Sequence, residues 1–228
     1  MQFKVLSWNI WYDGYFDEIS QFLGAIDADV IGLQEVVPDD KTRDVIGYLT
    51  TLGYQHVVSP VRKIKKDGRT MGNAIFSKYE ILGSDMHTLS ETDSRNAVRA
   101  DIRVGDTTLH VFSTHLLHTH QQPSETQALQ AENLLKVLPH TRTIVMGDFN
   151  AKPDSAIIRK MLGVLVDTDP TLTPTWSVYP EGCPVCNPQA VDTRLDYIFT
   201  SKDVKANSFE AHQSKGSDHL PISVLIEI

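Results

Sequence analysis

The chain has 228 residues, 41% hydrophobic and 22% charged, a balance that suits a globular protein with one large core or two small ones. No stretch reaches the roughly 18 consecutive apolar residues of a membrane helix, and Phe3, Val5 and Trp8 read as a folded strand rather than a signal peptide, so a cytoplasmic location is expected. Twenty-one basic against 29 acidic residues give a net charge of −8, which argues against strong nonspecific DNA binding.

In chain order, residues 3–9 read as a buried strand. Ile19, Phe22, Leu23 and Ile26 follow at the i, i+3, i+4, i+7 spacing of an amphipathic helix. A short apolar run at 29–33 predicts a second strand. Val45, Tyr48, Leu49 and Leu52 predict a helix whose start is expected near Pro38, Asp39 and Asp40. Val98, Ala100, Ile102 and Val104 alternate with Arg99, Asp101 and Arg103, the period of a strand with one wet face. Gly105-Asp106 turns this strand into another at 109–114, a hairpin. Ala128, Ala131, Leu135 and Leu138 predict a helix, 143–146 a buried strand, and Ile157, Ile158, Met161 and Leu162 a short helix. Strands at 195–200 and 222–228 close the chain. Neighbouring hairpins and terminal strands favour a mixed, largely antiparallel α/β protein over an alternating doubly wound sheet. With no repeat and no linker, 1–228 is read as a single domain.

Polar residues stand at the ends of these strands, where distant parts of a chain converge on one sheet edge. They are Asn9 in Ser7-Trp8-Asn9, Gln34-Glu35, His115 in Thr114-His115-Leu116, Asp148 and Asn150 in Gly147-Asp148-Phe149-Asn150, Asp196 in Arg194-Leu195-Asp196-Tyr197, and Ser217-Asp218-His219. Each alone is an ordinary turn residue. In this order and spacing they resemble the endonuclease/exonuclease/phosphatase superfamily, whose members include exonuclease III-type repair nucleases, deoxyribonuclease I, neutral sphingomyelinases, inositol polyphosphate 5-phosphatases and tyrosyl-DNA phosphodiesterases. The resemblance runs from Trp8-Asn9 to Ser217-Asp218-His219 and implies a four-layer sandwich, two packed β-sheets flanked by helices, with the site at one edge. Exonuclease III-type enzymes usually carry a tyrosine where this chain has His115, which places it nearer the sphingomyelinase, deoxyribonuclease I and tyrosyl-DNA phosphodiesterase side.

The implied chemistry is hydrolysis of a phosphate ester. A phosphate diester repels hydroxide, so attack needs a cation on the phosphoryl and leaving-group oxygens. Mg²⁺, with Mn²⁺ as a substitute, prefers oxygen donors. By resemblance its ligands are Glu35, Asn9 and Asp218. The same resemblance makes His219 the base for the attacking water, neutral at an ordinary pKa near 6.5, and Asp196 the carboxylate that orients it. Asp148 is expected to position or help deprotonate the water, and Asn150 and His115 to contact the phosphoryl oxygens. Asn73, in Gly72-Asn73-Ala74 ahead of a buried strand, and Arg95, with Asn96, are expected to extend the phosphate-binding cleft, and Arg99 to lie on the wet face of its strand.

Three features stand outside this set. Cys183 and Cys186 form a C-x-x-C pair in a Pro/Gly-rich loop; lacking a second cysteine pair for zinc, they read as a structural loop or a disulfide rather than a redox motif. His115, His118 and His120 have a spacing that zinc tolerates, but with His115 assigned to phosphate the other two read as loop residues facing substrate. Arg62, Lys63, Lys65, Lys66 and Arg69 flank Asp67-Gly68, either a solvated loop or a grip for an anionic backbone or headgroup. The substrate class favoured is a small or lipid-derived phosphate ester. A nuclease with the same groups, a zinc site on the histidines and a non-catalytic module are the alternatives. The proline-rich segment 173–190 is expected to shape specificity.

Overall fold

The computed structural model describes residues 1–64 and 67–228, with the backbone alone at 61 and 62. Among these residues the strands are β1 (Gln2–Asn9), β2 (Val30–Val36), β3 (Gln55–Lys63), β4 (Thr70–Ser77), β5 (Ile81–Ser90), β6 (Arg95–Val104), β7 (Thr107–His115), β8 (Thr143–Asp148), β9 (Val166–Asp167), β10 (Asp196–Thr200), β11 (Lys205–Ala211) and β12 (Ile222–Glu227). The helices are α1 (Phe16–Ile26), α2 (Val45–Thr51), α3 (Glu125–Val137) and α4 (Ala156–Leu162). Side chains cap three of them: Asp44 accepts from the Gly47 N–H, Ser124 from Gln127 and Ser155 from Ile158. The start of α2 is therefore Asp44 rather than the Pro38-Asp39-Asp40 turn, where Asp40 is instead occupied by Thr42 and Arg69.

The strands form two six-stranded sheets, β11-β12-β1-β2-β4-β3 and β5-β6-β7-β8-β10-β9. Each is antiparallel except at its centre, where β1 runs parallel to β2 and β7 parallel to β8. Alternation along each strand sends one set of side chains between the sheets and the other outward. Val5, Val30 and Val224 meet Val98, Ile144, Met146 and Ile198 in the middle layer. The outward set of the first sheet, Leu6, Trp8, Ile31 and Phe76, is covered by Ile19 and Leu23 of α1 and Leu49 of α2. On the second sheet Phe112, Val145 and Phe199 meet Ala131 and Leu134 of α3 and Ile158 and Met161 of α4. The result is the expected four-layer α/β sandwich. The β6–β7 hairpin also matches the sequence reading, with Arg99 half-buried on the wet face and paired to Asp101.

Strand polarity gathers the polar residues at one edge. Because β1 and β2 are parallel, Asn9 lies beside Gln34. Because β7 and β8 are parallel, His115 lies beside Asp148. Strand β10 runs against β8 and so begins at the same edge, with Asp196 opposite Asp148. Strand β12 runs against β1, so the Ser217-Asp218-His219 turn that precedes it arrives there too.

Candidate active site

Asp148 sits at the centre of this edge and is buried. Its Oδ1 accepts the Asn150 backbone N–H at 2.8 Å, an Asx turn that holds Asn150 at φ 49°. Asparagine tolerates that left-handed backbone better than most residues. Four side chains surround Asp148 Oδ2: Asn9 Nδ2 at 3.1 Å, Asn150 Nδ2 at 3.2 Å, His115 Nε2 at 3.3 Å and His219 Nε2 at 3.6 Å. On its far side the His219 Nδ1–H donates to Asp196 Oδ2 at 2.8 Å, so Asp148, His219 and Asp196 form a buried line.

The backbone around this line is held in place. Trp8, fully buried, donates its indole N–H to the His219 carbonyl at 2.9 Å. The Ser217 hydroxyl donates to the Asn9 carbonyl at 2.6 Å and accepts the His219 N–H at 3.2 Å. Gly147, at φ 145°, lets β8 lie tight against β7: a Cβ there would stand 1.9 Å from the Thr114 carbonyl oxygen. Such a φ is accessible chiefly to glycine.

Electrostatics follow from burial. Burial alone would neutralise His219, but the carboxylates of Asp196, Asp148 and Asp218 outweigh it and hold the imidazole well above its ordinary value. The sequence reading took His219 at its ordinary pKa; the flanking carboxylates favour its charged form. Burial pushes the Asp148 carboxyl up to about 7, against the attraction of His219.

Glu35 reaches the cluster through a β-bulge. The β2–β4 register shifts between Leu33 and Val36, and Glu35 takes φ 60° there, turning its side chain into the cleft. Its Oε2 accepts the Tyr12 N–H at 3.0 Å and its Oε1 lies 3.7 Å from His115 Nδ1. Glu35, His115, Asn73 and Arg95 line a cavity of about 10 Å³, the scale of a single water or small ion. Asn73 lies within β4 rather than before it, and its amide donates to the Asn96 carbonyl at 3.0 Å. Arg95 is buried and donates to the His115 carbonyl at 3.1 Å. Asp218 accepts the Trp176 indole N–H at 3.2 Å through Oδ2.

Two neighbours escaped the sequence reading. Thr175 donates its hydroxyl to Asp196 Oδ2 at 2.6 Å and accepts the Leu195 and Asp196 N–H groups, and Trp176 reaches Asp218. Both lie in the proline-rich segment, where no periodicity marks them. The segment is threaded between 193 and 218–220 by backbone bonds, Trp176 N–H to the Thr193 carbonyl and Leu220 N–H to that of Thr175. The same segment joins Cys183 to Cys186 in a disulfide and carries both against His118 and His120. The sequence reading had kept that cysteine pair and the histidines apart. His118 Nδ1 in turn contacts Asn150 Oδ1 at 2.9 Å. In the basic run, Arg69 is occupied by Asp67, Asp40 and Asp13, and Lys65 and Lys66 lie outside the described residues. Among the described residues no helix is long and apolar enough to cross a membrane.

An endonuclease/exonuclease/phosphatase from Bacteroides vulgatus superposes with a TM-score of 0.81 at 20% identity, over 100% of this chain and 99% of that one. The human Nocturnin catalytic domain with a bound sulfate anion gives 0.75 at 21%, over 99% and 93%. The Bacteroides thetaiotaomicron mannosyl-6-phosphatase gives 0.73 at 18%, over 99% and 100%. No curated protein matches the sequence significantly. The sequence profile of one family does match, over residues 6–219, and its span takes in every cluster residue from Asn9 to His219: the chain belongs to the Endonuclease/Exonuclease/phosphatase family.

Proposed function

We propose that the protein is a Mg²⁺-dependent phosphoric ester hydrolase that cleaves a phosphodiester by direct attack of water, with residues 1–228 acting as one domain. The observation that carries this reading is the convergence of Asn9, His115, Asn150 and His219 on one oxygen of Asp148, backed by Asp196. Glu35, Asn9 and Asp218 would hold the cation. Their donors are all oxygens, the chemistry that Mg²⁺ and Mn²⁺ prefer, and Glu35 borders an ion-sized cavity. A cation held there would neutralise phosphoryl and leaving-group charge.

The chain's own groups divide the remaining work. With a pKa near 7, Asp148 is matched to accept the water's proton at neutral pH. His219, charged between two carboxylates, directs Nε2–H toward the phosphoryl oxygens and stabilises their growing charge. On this reading the base role expected of His219 is shared with Asp148, the carboxylate expected to position or help deprotonate the water. Asn150 presents its Nδ2 to the same space, and His115 completes the anion-binding wall.

A groove of about 650 Å³, bordered by Gln121, Ser124, Lys152, Asp154 and Arg159, reaches Asn150 and offers room for a small polar leaving group. With the net charge of −8 and an Arg69 already paired to aspartates, it supports a small or lipid-derived ester over a long nucleic acid. The test is hydrolysis of a chromogenic phosphodiester, a phosphomonoester, sphingomyelin, inositol phosphates, DNA and RNA with Mg²⁺, Mn²⁺ or EDTA, and His219→Ala as control. Activity on one class, abolished by EDTA and by the substitution, supports the proposal and names the substrate. Turnover that survives both would overturn it, and cleavage confined to DNA or RNA would replace the small-ester reading with a nuclease.

A further inference from the structure

A second cluster of metal-ligating atoms joins the loop after β7 to the proline-rich segment. His118 Nε2 lies 3.1 Å from His120 Nδ1. Cys186 Sγ is 3.6 Å from the first and 3.3 Å from the second; Cys183 Sγ is 4.0 Å and 3.6 Å from them. All four atoms lie within 4.8 Å of one another. We propose that Cys183, Cys186, His118 and His120, with the cysteines reduced, bind one Zn²⁺ as a structural site that pins the specificity loop beside the catalytic cluster.

Three observations support this. The first is distance. Tetrahedral zinc with Zn–S near 2.3 Å and Zn–N near 2.05 Å needs N···N edges of about 3.3 Å, N···S edges of about 3.6 Å and an S···S edge of about 3.8 Å; the N···N separation of 3.1 Å is close to the first, the N···S separations of 3.3–4.0 Å bracket the second, and the third opens only once the disulfide is reduced. The second is donor softness. Two thiolates and two imidazoles select zinc over Mg²⁺, which distinguishes this site from the oxygen donors around Glu35. The third is the scaffold. The Cys186 N–H donates to Cys183 Sγ at 3.4 Å and the Asn187 N–H to the Cys183 carbonyl at 3.0 Å, so the C-P-V-C turn exposes Pro184 and Val185 while the half-buried cysteines face the histidines. Opposite them, His120 and Gln121 both hold left-handed backbones, φ 52° and 57°. That conformation is strained for residues other than glycine and persists where surrounding contacts enforce it.

The site also reaches the catalytic cluster. Zinc on Nε2 of His118 fixes the proton on Nδ1, which then donates to Asn150 Oδ1 at 2.9 Å. With its oxygen so engaged, Asn150 must point Nδ2 at Asp148 and His115. Loading requires the dithiol. Two equivalents of a small-molecule thiol reduce the Cys183–Cys186 bond, forming their own disulfide and leaving two thiols whose protons leave as the metal binds.

The full chain, prepared with glutathione and without chelator, is expected to carry about one zinc per chain by plasma mass spectrometry. A mercurial thiol reagent should release it to a chromogenic chelator. Cobalt substituted into the wild-type chain should show thiolate charge-transfer absorption and the intense visible bands of tetrahedral geometry. Cys183→Ser and His120→Ala should each lower zinc content at least about tenfold; should either fail to fold, the wild-type cobalt spectrum still decides. Folded, reduced protein with two freely titrating thiols and no zinc would overturn the proposal. So would a disulfide that survives glutathione, or a pale octahedral cobalt spectrum without charge transfer.

Discussion

Replacing Asp196 by Asn removes one charge from the buried line while keeping its shape. Asp196 Oδ2 accepts from both His219 Nδ1, at 2.8 Å, and Thr175 Oγ1, and an amide oxygen in that place would keep both bonds. The lost attraction between unit charges 2.8 Å apart is about 6 kcal/mol at an effective dielectric of 20, and relief of burial returns part of it. Asp196 is the strongest of the carboxylates holding His219 above its ordinary value, so the imidazole must lose its proton at lower pH in the variant. In the wild type, activity should rise with pH as Asp148 loses its proton near 7 and fall as His219 loses its own at higher pH. Asp196→Asn should shift that alkaline limb downward and reduce kcat by about 10²–10⁴-fold. Stability should fall by a few kcal/mol, because the lost ion pair is only partly offset by relief of burial. The new amide N–H₂ would occupy the buried place of Oδ1, which has no hydrogen-bond partner among the described residues, a cost of about 1–3 kcal/mol set against the buried charge removed. A pH–rate profile of kcat and urea unfolding measure both effects. An alkaline limb that stays put, with kcat within about threefold of wild type, would refute the assignment of His219 as a charged participant.

Three further substitutions probe the rest of the site and its supports. Glu35→Gln keeps an acceptor for the Tyr12 N–H but loses the cleft's carboxylate; the Mg²⁺ concentration for half-maximal rate should rise about 10–100-fold, with metal-free unfolding unchanged. Gly147→Ala drives a Cβ into the Thr114 carbonyl, and with φ at 145° neither strand can yield without parting. It should cost at least about 3 kcal/mol in urea unfolding and most of the activity, and an alanine variant of normal stability would show that β8 does not lie this close to β7. Arg194, buried over the Tyr197 ring at 4.2 Å, pairs with Asp167 at 2.7 Å and buried Asp169 at 3.7 Å. Arg194→Leu should destabilise by about 3–5 kcal/mol by stranding those carboxylates, measured as a fall in melting temperature.

The legible parts of this molecule are those whose signal is periodic or local. Alternation between Val98 and Val104, and the helical spacing from Ile19 to Ile26, return as β6 and α1. Strands β3, β5 and β11, and the two-residue β9, were not foreseen. The exposed faces of β5 and β11 leave them little apolar alternation, and Pro60 interrupts β3 at a register shift against β4. Asp148, His219 and Asp196 were visible because each follows or precedes a legible strand. Thr175 and Trp176 were not, because what places them is backbone bonding to 193 and 218–220, and nothing local encodes it. Cys183 and Cys186 read as a structural loop or a disulfide, and His118 and His120 as loop residues. Only folding brings the two pairs together across more than 60 residues.

Strand polarity explains why this edge, and no other, carries the polar cluster. The two sheets share one plan: a central parallel pair with antiparallel strands on either side. Across the interface β1 faces β8, β2 faces β7, β4 faces β6 and β12 faces β10, as an approximate two-fold axis between the sheets would arrange them. Four central strands therefore end at the same edge, delivering Asn9, Glu35, His115 and Asp148, while their antiparallel neighbours begin there with Asp196 and His219. At a strand end the ladder stops, and side chains can turn from the sheet faces toward one another. Three residues at this edge do so through positive φ, Glu35 at the bulge, Asn150 after β8 and Trp11 after β1. That local cost is sustained by the apolar layers behind them, where Val5, Val30, Ile144 and Met146 are buried between the sheets. A charged line such as Asp148–His219–Asp196 can be kept out of water at this edge because the rigid middle layer fixes the ends of the strands that carry it.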